Sequence, residues 1–410
     1  MIDLKAARND ADRYRAALAR KGAADAFDAL LAADESWRAL VPRVDELRSQ
    51  TKLQGKPTPE QLAKLQGLKA ELKPAEEALA AAEAGRDALL LAVPNPPHDS
   101  APDGDTEDDA VEISRFGEPP TLAEPKEHTE LGRFEMERAA RISGSRFGYL
   151  VGDTALLAFA LYRCALDHLA EHGFTPMLTP VLVREQAMIG SGFFPTDRSN
   201  IYALAEDDLY LTGTSEVALA SFHMGEILDG AELPLRYAAF SPCFRRESGA
   251  AGRDTRGMFR VHQFNKVEMF VFIEPADSWA EHDRMVELEE AFLRKLGLPY
   301  RVVNVAAGDL GAPAAKKVDI EAWFPSQERY REITSTSNTT DFQARRLDIR
   351  FRRDGKLEHV HTLNGTAVTA RAMIAILENF QHEDGSVSVP QPLTEFGAPP
   401  LLGAERVAAP

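Results

Sequence analysis

Phe240–Phe270 reads FSPCFRRESGAAGRDTRGMFRVHQFNKVEMF. Tyr237–Arg245 alternates and ends in the charged cluster Arg245-Arg246-Glu247. Met258–Phe272 sets Phe259, Val261, Gln263, Asn265 and Val267 against Arg260, His262, Phe264, Lys266 and Glu268. Period-two alternation predicts two strands. Ser248–Gly257 between them, with Gly249, Gly252 and Gly257, reads as a long hairpin loop. Charge on a half-buried sheet face needs a reason. Arginine presents a planar fork to phosphate or carboxylate. An Arg, a Glu and an aromatic aimed from one hairpin therefore suit a nucleotide.

Towards the N-terminus, Ala139–Tyr149 reads as a loop and edge strand, and Asp153–His172 as an amphipathic helix stopped by Gly173. Thr175–Val183 follows as a strand carrying Pro176 and Pro180. In YLTGTSEVALA (Tyr210–Ala220), Thr214-Ser215-Glu216 stands before a helix expected over Val217–Leu228. Thr214 there can act as an N-cap, with Glu216 at the positive end of the helix dipole.

Towards the C-terminus, Ala280–Leu296 reads as a helix, and Tyr300–Val305 and Val318–Phe324 as strands. In YREITSTSNTTDFQARR (Tyr330–Arg346), Glu332, Ile333, Thr334 and Ser335 lie on or beside a strand. The polar run after them reads as a loop leading into a helix. HTLNGTAVTARAMIAILENFQ (His361–Gln381) turns from a strand end at Leu363-Asn364-Gly365-Thr366 into a helix over Ala370–Phe380. Arg371 near that helix's start opposes the dipole, at a cost of up to about 1 kcal/mol. An arginine that clamps a phosphate would account for it.

The first quarter of the chain differs. From about Asp28, Leu30, Ala33, Trp37, Leu40, Val44 and Leu47 step by threes and fours. Leu65, Leu68, Leu72, Ala75, Leu79, Ala82 and Leu89 repeat the steps, with Arg86 in one seam position. Two such stripes joined by Gln54–Pro59 predict an antiparallel helical hairpin over about 28–91, each helix about 40 Å long. Thr58, Pro59 and Gln61 suit a capping box. Pro42 and Pro74 are expected to kink or interrupt the helices. Pro94-Asn95-Pro96-Pro97 ends the second helix and marks a domain boundary.

At 410 residues, 44% hydrophobic and 27% charged, the chain suits two or three domains of ordinary soluble protein. No apolar run reaches membrane-spanning length and no signal core opens the sequence, so no membrane contact is expected. A net charge of −17 argues against a general nucleic-acid-coating protein, though not against a specific RNA contact. Cys164 and Cys243 are the only cysteines, each in an apolar segment, and read as reduced buried thiols.

Phe244-Arg245-Arg246-Glu247, then a loop, then Arg256-Gly257-Met258-Phe259-Arg260-Val261-His262-Gln263-Phe264 resembles motif 2 of class II aminoacyl-tRNA synthetases, in the wording of the seryl-tRNA synthetases, bacterial type. The helix, strand and Pro180 at 153–183 resemble motif 1, EITS…SN…DFQARR matches the seryl family, and His361–Gln381 resembles motif 3. The resemblance implies an α+β fold: a class II antiparallel sheet flanked by helices (98–410), preceded by an N-terminal tRNA-binding domain (1–97) with an antiparallel coiled-coil arm. The sequence agrees in having neither GxxxxGK[ST] nor an early GxGxxG.

The resemblance also implies an activity: ATP-dependent activation of L-serine, then its transfer to tRNA(Ser) and, where one exists, tRNA(Sec). Arg245 and Arg371 are the implied catalytic residues. ATP would be held by Arg245, Arg246, Glu247, Arg256, Val261, Phe264, Glu332, Ile333, Thr334, Ser335 and Arg371, and Mg2+ by Glu332 and Ser335. Serine would be held by Thr214, Ser215, Glu216, Arg245, Glu268, Asn364 and Thr366. Arg38, Arg43, Arg48, Lys52, Lys56, Lys64, Lys69 and Lys73 are candidates for touching tRNA. A homodimer in the cytoplasm is implied. A duplicate serving secondary metabolism or antibiotic resistance, and a non-catalytic RNA-binding paralogue, remain as alternatives.

Overall fold

A computed structural model describes residues 1–52, 58–248 and 257–403. Arg256, Lys56, most of the Ser248–Gly257 loop and the turn residues Gln54–Pro57 lie outside the described residues. The chain divides into two units, Met1–Pro96 and Pro97–Pro410.

In the first unit, α1 (Leu4–Asn9), α2 (Ala11–Ala19), α3 (Ala24–Thr51) and α4 (Pro59–Ala92) follow in order. Ile2, Ala7, Leu18, Phe27, Leu30 and Val93 form a small core. Above it α3 and α4 run as a hairpin, about 42 Å and 51 Å long at ~1.5 Å per residue. On α4 the seam residues Leu65, Leu68, Leu72, Ala75, Leu79, Ala82, Arg86 and Leu89 are half-buried, as their spacing predicts. The Arg86 guanidinium lies over the Trp37 ring at 4.0 Å, which is how a charged residue occupies an apolar seam. Arg43 and Arg48 cross the seam to Glu71 (3.1 Å) and Glu76 (2.8 Å). Thr58 and Gln61 form the expected capping box, with Pro59 in the first turn. Both helices run on through Pro42 and Pro74, so the interruption that was one of the two expected outcomes does not occur. Each removes one backbone hydrogen bond, a loss the lateral packing of a long paired helix outlasts.

The second unit is built on eight strands. They are β1 (Val111–Phe116), β2 (Thr175–Leu178), β3 (Leu235–Phe244), β4 (Gln263–Ile273), β5 (Tyr300–Asn304), β6 (Lys316–Phe324), β7 (Arg329–Asn338) and β8 (His361–Thr369). Their order is β1-β5-β6-β7-β8-β4-β3-β2. Every pairing is antiparallel except β2 with β3. The long helices α5 (Asp153–Glu171), α6 (Ser278–Leu296) and α7 (Ala370–Asn379) contribute to one large apolar core.

Strand β4 explains the architecture. Val267, Met269, Val271 and Ile273 point into that core. Phe270 and Phe272, on the other face, join a second cluster with Leu219, Ala220, Leu347, Ile349 and Val360. Both faces are covered from Lys266 to Ile273, so the charges at Lys266 and Glu268 mark a change of surroundings along one face rather than water on it. Lys266 and Glu268 continue the Phe270–Phe272 face and are buried, at 5% and 2% exposure.

Several expected elements differ. Met258–His262 precedes the strand, which begins at Gln263. Met136–Ser143 is helical, and only Tyr149–Leu150 of the expected edge strand forms. Thr175–Val183 is two strands in different sheets, Thr175–Leu178 and Leu182–Arg184, with Pro180 between them. The expected helix over Val217–Leu228 spans only Glu216–Ala220, and Ile227–Asp229 is a strand. The polar run after Ser335 does not begin as a loop: Thr336–Asn338 continues the strand and is buried. Its side chains find partners inside the protein, which a polarity count cannot see.

Candidate active site

The strands β4, β7 and β8, the start of α7 and the Glu216–Ala220 helix surround one cleft with about 900 Å3 of empty space, mouth included. Thirteen of the expected residues line it: Thr214, Glu216, Arg245, Glu247, Val261, Phe264, Glu268, Glu332, Ile333, Ser335, Asn364, Thr366 and Arg371. Ser215, Arg246 and Thr334 do not. The Arg246 guanidinium lies over Tyr202 at 5.0 Å. Thr334 turns to the opposite face, where its hydroxyl donates to Glu289 at 3.0 Å.

Two bulges set the side chains. Val267 pairs with Val368, but Glu268 pairs with Thr366, so Ala367 is the extra residue. The bulge thus places the Thr366 hydroxyl, rather than the Ala367 methyl, opposite Glu268. On β7 the register shifts between Thr334, opposite Ile320, and Glu332, opposite Glu321, leaving Ile333 extra.

One end of the cleft is basic and aromatic. The Arg245 guanidinium lies 5.2 Å from the Phe264 ring, and its Nε donates to the Gly213 carbonyl at 3.2 Å. Arg371 lies over Phe259 at 4.8 Å and donates to the Glu332 carbonyl at 2.9 Å. Glu247 has φ +51° and accepts from Arg260 at 2.5 Å. The protein around the partly exposed Glu332 resists its ionisation, but Arg371, Lys317 and Arg245 outweigh this and hold the carboxyl below its usual range.

The other end is a buried polar floor. Glu216 Oε1 accepts from Gln343 (2.8 Å) and from Asn364 (3.0 Å). Burial, reinforced by Glu268, pushes the Glu216 carboxyl up to about 7 against the pull of Lys266 and Arg245. Glu268 Oε2 meets Lys266 Nζ at 2.5 Å and accepts from Thr366 at 3.3 Å. Lys266, Phe259 and Arg260 line the cleft but were not among the expected site residues. Lys266 carried a signal in sequence: a lysine two residues from a glutamate shares its strand face.

Beneath the sheet, Glu289 of α6 accepts from Thr336 at 2.6 Å and from Thr334, and burial raises its carboxyl well above the ordinary value. Among the described residues no group of three or more His, Cys, Asp or Glu is gathered to hold a metal. Also among them, no helix is long and apolar enough to cross a membrane.

Comparison with known proteins gives a consistent picture. Residues 202–380 match the class II tRNA synthetase core domain (G, H, P, S and T), and residues 1–97 match the seryl-tRNA synthetase N-terminal domain. A serine–tRNA ligase of Acidothermus cellulolyticus is 50% identical, covering 99% of this chain and 100% of that protein. One from Streptomyces coelicolor is 49% identical, covering 100% and 99%. Among solved structures, a seryl-tRNA synthetase from Pyrococcus horikoshii complexed with ATP superposes with a TM-score of 0.92 at 40% identity, covering 98% of this chain and 99% of that one. A cytoplasmic serine–tRNA ligase from Naegleria fowleri in complex with AMP gives 0.85 at 34%, covering 95% of each.

Proposed function

The chain belongs to the seryl-tRNA synthetase family of class II ATP-dependent ligases, and on that premise we propose how its cleft activates L-serine and passes it to tRNA(Ser). The alternatives, a specialised duplicate or a non-catalytic paralogue, have no support from the relatives. The observation that carries the reading is the division of one cleft into an arginine-flanked aromatic end and a buried carboxylate floor.

ATP takes the first end. Its adenine stacks on Phe264, and the Glu247 carboxylate accepts from the adenine amino group. Arg245 holds the α-phosphate and the serine carboxylate together, and Arg371 neutralises the far phosphates. Val261 and Ile333 line the nucleotide's path, and Arg256 is assigned to the pyrophosphate end. Magnesium accompanies the nucleotide, and Glu332 and Ser335 offer the hard oxygen donors it prefers. The serine carboxylate oxygen attacks the α-phosphorus, the bond to the bridging oxygen of pyrophosphate breaks, and seryl-adenylate forms. A 3′-terminal ribose hydroxyl of tRNA then attacks the acyl carbon, and AMP leaves.

Serine takes the second end. Its ammonium meets Glu216 beside Thr214, and its hydroxyl donates to Glu268 beside Thr366. Alanine would leave a buried carboxylate without that donor, the kind of loss that gives strong selection. The test is pyrophosphate exchange by the purified protein with serine against alanine.

The arm of residues 28–91, within an N-terminal domain of about 1–97, takes the tRNA. Lys52, Lys64, Lys69 and Lys73 are exposed on it, while Arg38, Arg43 and Arg48 are tied to Asp34, Glu71 and Glu76. Where a selenocysteine tRNA exists, the same arm serves it. The protein acts as a cytoplasmic homodimer. Support for the dimer comes from Ile142, Phe159 and Leu178 around the motif 1 region, which are 72%, 67% and 82% exposed.

A further inference from the structure

We propose that Lys266 is a positioning residue that gives the two buried carboxylates of the floor different tasks, and so fixes which way round serine binds. The inference rests on the serine reading above.

Glu216 and Glu268 both line the cleft and both are buried. Alone, two such carboxylates are equivalent hosts for one ammonium group. They are not equivalent here. Glu216 is held by two neutral amides, from Gln343 and Asn364, on one oxygen. Glu268 is held by a cation: Lys266 Nζ lies 2.5 Å from Oε2 and 3.5 Å from the Thr366 hydroxyl. Lys266 and Glu268 are two residues apart on β4, so they share a face, and the bulge brings Thr366 beside both.

The consequence is electrostatic. Lys266 compensates the Glu268 charge, so an arriving ammonium gains most at Glu216. Glu268 keeps its acceptor capacity and asks for a neutral donor, which a hydroxyl is. Without Lys266 the ammonium would compete for Glu268, turning the amino acid round and carrying its carboxylate away from Arg245.

A lysine that only stabilised the fold would lower activity and melting temperature together. A lysine that positions serine through Glu268 should be rescued by neutralising Glu268. The variants are therefore Lys266→Met, Glu268→Gln and the double variant, assayed by serine-dependent pyrophosphate exchange beside the wild type. Lys266→Met should lower kcat/KM for serine about 100-fold, with the KM for ATP within about threefold. The double variant should recover at least about tenfold of that loss. Loss of exchange by less than about threefold in Lys266→Met, or no recovery in the double variant, would overturn the proposal. If Lys266→Met does not fold, the comparison is between the double variant and Glu268→Gln. Equal or better activity in the double variant supports the proposal, and a further loss of about tenfold overturns it. Wild-type protein without serine-dependent exchange would instead overturn the serine reading itself, and this inference with it.

Discussion

Arg371 Nη1 donates to the backbone carbonyl of Glu332 at 2.9 Å and stands 3.4 Å from its carboxylate. One guanidinium thus ties the first turn of α7 to the middle of β7, beside the cleft. The Thr369 hydroxyl caps the same helix, accepting from the Arg371 amide at 3.2 Å. The side chain that opposes the helix dipole is therefore held for the cleft rather than for the helix. Arg371→Ala should lower pyrophosphate exchange at least about 100-fold. Because the pair is part-exposed, unfolding free energy should change by less than about 1 kcal/mol. Lysine should not restore activity, since it lacks the planar fork. Exchange kinetics and denaturant unfolding of both variants check this.

The Glu216 carboxyl, raised to about 7 by burial and by Glu268, gives serine binding a pH dependence. Gln343, Lys266 and Arg245 face it and favour the ionised form. Folding raises this acid's affinity for a proton, so its contribution to stability is fullest below the ordinary value of 4.5 and falls as pH rises towards 7. The loss is at most about 3.5 kcal/mol for the ligand-free protein. Serine's ammonium needs the ionised form, so affinity should rise with pH up to about 7 and then level, and protons should be released on binding below that point. Titration calorimetry in buffers of different ionisation enthalpy measures the release, and Glu216→Gln should abolish it.

Gly257 has φ +69°, and a Cβ there would stand 2.5 Å from His128 Nε2. That nitrogen accepts from the Met258 amide at 3.0 Å, while Nδ1 faces Glu378 of α7 at 3.3 Å. The close approach fixes the chain where it enters the cleft at Met258. Gly257→Ala combines left-handed strain with a clash and should cost about 1–3 kcal/mol. It should also raise the KM for ATP. Denaturant unfolding and exchange kinetics report the two effects separately.

The cross-seam pair Arg43–Glu71 marks where the arm can be shortened with both helices still in register. Replacing 43–71 by a short Gly/Ser turn removes Arg43, Arg48, Lys52, Lys56, Lys64 and Lys69 together. Amino-acid activation should stay within about twofold, while transfer to tRNA(Ser) falls at least about 100-fold. Parallel exchange and aminoacylation assays check it.

The arm was legible because a single period governs it: half-burial on α4 falls on the residues that the threes and fours select. The prolines misled because a local rule ignores the partner helix. In the second unit the long helices at 153–171 and 278–296 were legible by length and amphipathicity. The short elements were not, since Glu216–Ala220 is five residues long and held by tertiary contacts. The site residues came from motif wording. Lys266 was passed over because the motif wording gave roles to Phe264 and Glu268 on its face and none to it. Thr336–Asn338 was misread as loop because the partners of its polar groups lie in another layer. Glu289 and Ser278, which satisfy the polar groups of Thr336 and Asn338, both lie on α6, far away in sequence.

The most direct test of the central claim is magnesium-dependent ATP–pyrophosphate exchange with serine, alanine, threonine, cysteine and glycine offered singly. Exchange with serine, and little or none with the other four, is the predicted result. Equal exchange with alanine would contradict the hydroxyl assignment to Glu268 and Thr366, and no exchange with any of the five would contradict the account of the cleft as a whole.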